Sequence, residues 1–331
     1  MPEAKYPIAP INQRIDRRST ADFQLIIEIA TEKPIGQSIE EYNLFRSVEA
    51  MKIKTILGQI GAVIPSQGNQ QKKLFSIVAA TLIITACASS TQAGLTGITR
   101  SQLQLIPAAE LNAQSKQAYQ GMILDAKKSG AVDHNSRTAQ RVKRVFKRLV
   151  PHTQNFRPDS DQFEWEINVI RSNELNAFAM PGGKMAVYSG IVEQLNLTDD
   201  EIAAIVGHEM AHVLREHSRE KASQALVKTS GISIVASVLG VGEIGNELMQ
   251  QAGDVAFSLP FSRTMESEAD ILGLELMALA GYDPNAAVTL WQKMLNASGG
   301  SGSSILSTHP SGPERITTLK SQIPKVAHLV N

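Results

Sequence analysis

One cysteine, Cys87, stands in 331 residues. A lone thiol excludes an internal disulfide, and it excludes a zinc site built from cysteine pairs. Net charge is also missing, since Lys and Arg number 32 and Asp and Glu number 32. That balance argues against a nucleic-acid binder, which would normally carry a basic face. Long membrane-spanning runs are absent as well: the apolar stretch Leu74 to Thr85 is shorter than the ~20 residues that cross a bilayer. What is present is a globular composition, with 43% apolar and 19% charged residues. The length suits one large domain or two small ones. Any metal here must rest on histidine and carboxylate, and seven histidines are available: His134, His152, His208, His212, His217, His309 and His328.

The N-terminal part reads as targeting sequence. Lys72-Lys73 flank the apolar stretch as a basic region flanks a signal-peptide core. The stretch closes on Ile84-Thr85-Ala86-Cys87, which resembles a bacterial lipobox, with Cys87 as the lipidated new N-terminus. The alternative is a buried thiol at the end of an apolar helix. Residues 88–97, rich in Ala, Ser, Thr and Gly, have the composition of a flexible tether. Met51-Lys52-Ile53-Lys54 fits a translation start better than Met1 does. The expected division is a dispensable extension over 1–50, a signal peptide over 51–86, a lipidated cysteine and tether over 87–103, and one catalytic domain over 104–331. Ala88 after the cysteine favours anchoring to the outer membrane, facing the periplasm.

Apolar spacing predicts helices over 108–128 and 137–150, the second burying Val142, Val145, Phe146 and Leu149. Phe163, Trp165, Ile167 and Val169 alternate as in a half-buried strand. Residues 176–180 and 184–189 flank Pro181-Gly182-Gly183 as in a hairpin. Thr198-Asp199-Asp200-Glu201 opens a helix as a capping box, and the helix is expected to reach about Arg219. Another helix spans about 264–280 and stops at Gly281. Asp283-Pro284 starts the next, and a last one begins near Pro313. Residues 231–261 are mostly apolar and read as a core helix pair, or alternatively as a mobile lid.

The chemistry concentrates at His208-Glu209-Met210-Ala211-His212. Residues four apart on a helix stand one above the other, so both imidazoles can reach one zinc ion. Glu209, turned ~100° away by the helical repeat, falls beside the metal as a general base. His217 is half a turn out of phase and reads as solvated. A third ligand is needed. Glu266 and Asp270 share a helical face, with Glu266 as the ligand and Asp270 accepting a hydrogen bond from the far nitrogen of a ligand histidine. Glu268 points away from that face. The expected cofactor is one Zn2+ per chain.

These motifs resemble the gluzincin metallopeptidases. Within them, Glu266-Ser267-Glu268-Ala269-Asp270-Ile271-Leu272-Gly273 resembles the Ste/HtpX type, in its periplasmic lipoprotein branch (BepA/LoiP-like). Residues 176–183, Ser262-Arg263, 280–284 and 307–310 add to the likeness, which covers about Gln104 to Leu319. The resemblance implies an α+β fold: a mainly helical zincin-like domain with a small β-sheet beside the active-site helix. It implies that Asn176, Ala177 and Phe178 lie on an edge strand that pairs with an extended substrate. It implies that His309 and Arg315 approach the metal, either to stabilise an oxyanion or, for His309, to occupy the open zinc position as a latch. The expected activity is endoproteolysis of misfolded or unassembled envelope proteins. The expected partners are protein or peptide substrates, a membrane reached through the lipid anchor, and envelope assembly machinery, but no nucleic acid. A chaperone-like assembly factor that keeps the protease fold is the alternative.

Overall fold

The computed structural model describes residues 87–230, 256, 260–297, 304–310 and 312–330. The expected extension and signal peptide, and nearly all of the 231–261 stretch, lie outside these residues. Among the described residues no helix is long and apolar enough to cross a membrane.

A four-stranded sheet forms from β3 (Val132–Asp133), β4 (Glu166–Ile170), β5 (Ala177–Met180) and β6 (Lys184–Tyr188), in the order β3-β4-β6-β5. Only β4 and β6 run parallel. β5 and β6 are the expected hairpin, and β5 is an edge strand of this sheet. The turn needs its glycines: Gly182 has φ +82° and Gly183 φ +89°. A Cβ on Gly183 would also stand 2.9 Å from the Trp165 ring. That packing explains why β4 is shorter than the alternation suggested. Trp165 leaves the strand to cover the turn, and its indole N–H donates to the Ser160 carbonyl.

Helices cover the sheet. α1 (Ala108–Lys128) is pinned by the Tyr119 hydroxyl, which donates to the Met185 carbonyl at 2.6 Å. α2 (Arg137–Leu149) buries Val142, Val145, Phe146 and Leu149, as its spacing predicts. A short α3 (Ser189–Gln194) follows β6. α4 (Asp199–Leu214) runs through the core and buries every residue from Glu201 to Leu214. Its Thr198–Glu201 capping box is present in both directions. α6 (Arg263–Leu279) crosses it, then stops before Gly281 at φ +73°. α7 (Asn285–Ala297) starts where Asp283 accepts the Asn285 backbone N–H, and α8 (Ser304–Thr308) and α9 (Pro313–Val326) complete the fold. The architecture is therefore the expected α+β one, mainly helical, with the small sheet beside α4.

Two differences from expectation matter for the site. α4 ends at Leu214 instead of continuing to Arg219. Glu216 takes a left-handed φ of +49°, and α5 (His217–Ser230) departs in a new direction. Second, the stretch read as a free tether is fastened down. β1 (Cys87–Ala88) pairs with β2 (Gln102–Leu103), and Gln92 donates to the Phe156 carbonyl. Glu275 of α6 accepts the backbone N–H groups of Leu95 and Thr96 and the Thr96 hydroxyl. Residues 89–106 thus form a strap along α6 and the start of α5.

Candidate metal centre

α4 delivers His208 and His212 one turn apart, and α6 delivers Glu266 opposite them. The crossing is close because glycine faces glycine: a Cβ on Gly273 would lie 2.8 Å from the His208 backbone nitrogen. The Nε2 atoms of His208 and His212 are 3.1 Å apart. Glu266 Oε2 lies 3.4 Å from His208 Nε2, and Glu266 Oε1 lies 3.4 Å from His212 Nε2. Tetrahedral zinc with ligands at ~2.0–2.1 Å has ligand–ligand edges of ~3.3 Å, so the spacing of these three side chains is close to that of such a site. All are buried.

His309, from the end of α8, is the fourth member of the cluster, whose ligand atoms lie within 4.8 Å of one another. Its Nδ1 is 3.4 Å from His208 Nε2 and 2.9 Å from Glu266 Oε1. Its Nε2 is 3.4 Å from Glu209 Oε1. Phe261 stacks on the His212 ring with centroids 4.0 Å apart.

The electrostatics fit a cation. Burial alone would lower the pKa of His208, yet the carboxylates of Asp270 and Glu266 raise it to about 9. A buried place that draws a proton onto imidazole against desolvation holds a divalent cation for the same reason. Burial also drives His212 well below its ordinary value, leaving it neutral, as a ligand must be. Glu209 Oε1 is a buried acceptor with no hydrogen-bond partner among the described residues, while Glu266 Oε2 meets Arg315 Nη1 at 2.7 Å. An orphan acceptor is expensive in a dry site, and a polar group bound at the cluster would relieve it. Two imidazoles and a carboxylate, with a third imidazole close by, are a donor set that suits zinc.

Asp270 Oδ1 is 3.0 Å from His208 Nδ1. Arg315 is forked onto Asp270, with Nε and Nη2 each at 2.6 Å, while Nη1 is 2.7 Å from Glu266 Oε2. Its guanidinium lies 3.5 Å over the Trp291 ring. Arg315 therefore stands behind the ligands, with its donors engaged. This geometry replaces the oxyanion reading of Arg315 with a positioning one. Glu209 is fully buried, and burial raises its carboxyl above the ordinary range, against the pull of His309, His208 and the Ala179 backbone. Asn176 leads into β5, and Ala177 is buried against the core while Phe178 is half-buried beside Tyr188. Cys87 lies far along the chain in β1, opposite Leu103.

His217 corrects the sequence reading. It is fully buried, and its Nδ1 is 2.9 Å from His212 Nδ1. The phase arithmetic fails because the helix breaks at Arg215 and Glu216. Glu268 does point away from the cluster, but into a buried ionic group with His217, Arg215 and Arg100. Arg100, Arg215, Phe261 and Trp291 were missed as well. Their partners lie far off along the chain, and no spacing rule announces them.

The chain is similar in sequence to several metallopeptidases. The chain is 37% identical to mitochondrial metalloendopeptidase OMA1 of Schizosaccharomyces pombe over 187 residues, 56% of this chain and 52% of that protein. It is 29% identical to metalloprotease LoiP of Escherichia coli over 245 residues, covering 73% of this chain and 92% of LoiP. Metalloprotease YcaL of Escherichia coli is 29% identical over 198 residues, 58% of this chain and 75% of YcaL. The chain spans about half the length, or less, of the OMA1 proteins it matches. A sequence model of one family matches residues 136–323, more than half the chain and every residue of the metal cluster. The chain belongs to peptidase family M48.

Proposed function

We propose that the chain is a zinc-dependent endopeptidase. The observation that carries this reading is the buried set His208, His212 and Glu266 at tetrahedral spacing, with Glu209 beside it. Zinc supplies, when bound, a Lewis acid that brings the pKa of water toward ~7. Glu209 takes the proton of the attacking water and passes it to the leaving amine. Its raised pKa suits both halves of that task. Asp270 fixes the tautomer of His208, and Arg315 holds Asp270 and Glu266 in place. The outer edge of β5, with Asn176, Ala177 and Phe178, receives an extended peptide as an added strand. His309 occupies the corner that water needs, which favours the latch over the oxyanion role.

The finer reading is an envelope enzyme of the LoiP-like branch, lipidated at Cys87, acting on misfolded envelope proteins. The lipobox-like residues before Cys87 and the LoiP and YcaL likeness support it; the mitochondrial OMA1 relatives mark the alternative compartment. Two measurements test these levels separately. Purified wild type is expected to carry one zinc and to cleave casein, and Glu266→Gln to lose both. A zinc-free wild type would refute the site. Expressed with its leader, the wild type is expected to partition with membranes and Cys87→Ser to be released; equal partition would refute the anchor.

A further inference from the structure

His212 has a second neighbour that the four-group cluster leaves unexplained. Its Nε2 faces His208 and Glu266, so a bound metal would take that lone pair and leave the ring proton on Nδ1. Nδ1 in turn faces His217 Nδ1 at 2.9 Å. Two imidazole nitrogens form a hydrogen bond only when one is protonated and the other is not. His217 Nδ1 is therefore the acceptor. The His217 proton then sits on Nε2, which faces Glu268 Oε2 at 3.0 Å. The direction of each bond follows: His212 donates to His217, and His217 donates to Glu268.

Glu268 is itself anchored. Arg215 reaches its Oε2 through Nε at 3.2 Å and Nη2 at 3.0 Å. Arg100 forks onto both its oxygens, with Nε at 2.6 Å and Nη2 at 3.1 Å. The same guanidinium bonds Glu220 at 2.6 and 2.8 Å. Gln102 also donates to Glu220 and to the Arg215 carbonyl. Arg215, His217 and Glu220 are fully buried. Two guanidinium and two carboxylate groups balance, which leaves the imidazole neutral and free to relay geometry. Arg100 and Gln102 belong to the strap, outside the residues 136–323 that match the family.

We infer that His217 and Glu268 are positioning residues for His212, and that the strap completes this relay from outside the family core through Arg100. The two ligand histidines are thus held differently. His208 meets a carboxylate directly at Asp270, whereas His212 reaches one through an interposed imidazole. The strap that follows Cys87 is then part of the metal centre's support.

The inference rests on the zinc site proposed above, and affinity separates the two. Zinc binding by the full chain would be measured in competition with a chromogenic chelator. The absorption of the cobalt-loaded protein would report ligand geometry. His217→Ala is expected to weaken zinc binding about 10–100-fold and to shift the cobalt bands. His217→Asn is expected to recover most of the affinity, because its carbonyl oxygen stands where Nδ1 stood. Arg100→Lys is expected to weaken binding about tenfold, since an ammonium cannot fork onto two carboxylates. Should His217→Ala fail to fold, Arg100→Lys carries the test. Wild type with tight zinc and His217→Ala or Arg100→Lys within about twofold of it would overturn the relay alone. Wild type without zinc would overturn the site.

Discussion

Arg315 carries a full charge into a place where only 6% of its side chain is exposed, and Asp270 and Glu266 hold it there. Breaking such a buried arrangement from one side strands the partners. Arg315→Ala is therefore expected to destabilise the fold by about 3–5 kcal/mol in chemical denaturation, far beyond the ~1 kcal/mol ceiling of an exposed pair. A loss below about 1 kcal/mol would show that the carboxylates are not truly desolvated. His309 makes the opposite prediction. As a latch it restrains activity, so His309→Ala is expected to raise casein cleavage at unchanged zinc content; a collapse would restore the oxyanion role. The residues legible in the sequence were those fixed by local periodicity: His208, Glu209 and His212 on one helix, Glu266 and Asp270 on another. His217 was not, because the repeat that places a side chain does not survive the left-handed residue at Glu216. Arg315 was legible by resemblance, but its pairing with Asp270 and Glu266 was not. A contact between α6 and α9 is settled by packing alone.

At the scale of elements, α4 and α6 decide the site, and Gly207 and Gly273 decide how closely they approach. Any Cβ on Gly273 meets backbone atoms at 2.8–3.0 Å, which cannot turn aside as a side chain can. Gly273→Ala is expected to cost about 1–3 kcal/mol and to separate Glu266 from His208, so that zinc affinity falls with stability. Stability loss at unchanged affinity would contradict that coupling. The start of α4 carries a pH dependence. Burial alone would raise the Glu201 carboxyl, but Lys293, the Thr198 backbone and Thr289 outweigh it and hold it below 4.5. A depressed folded value stabilises the protein above the unfolded value and loses that contribution as pH falls. Glu201→Gln should thus lower stability at neutral pH and narrow the gap to wild type below about pH 4.5. A gap of constant size would refute the assignment. Caps and the hairpin turn were readable because each depends on a few adjacent residues. The alternation at 163–169 overreached, because Trp165 answers to Gly183 rather than to its own strand.

Over the whole molecule, composition predicted a globular domain without disulfides, and the motifs predicted its fold class. The strap escaped notice because Ser, Thr, Ala and Gly suit a tether and a fastened segment equally. What fastens it, Glu275 and Glu268, lies far along the chain. A metal bound only by the folded state stabilises the whole, by about 4 kcal/mol at a thousandfold excess over its dissociation constant. Chelation of the purified protein is expected to lower its thermal midpoint, and added zinc to restore it; an unmoved midpoint would separate the cluster from metal. The most direct test of the central claim is a single substitution, Glu209→Gln, assayed for zinc content and casein cleavage beside wild type. One zinc in both proteins and cleavage in wild type alone is the predicted result. Equal cleavage by both would contradict Glu209 as the base, and with it the mechanism.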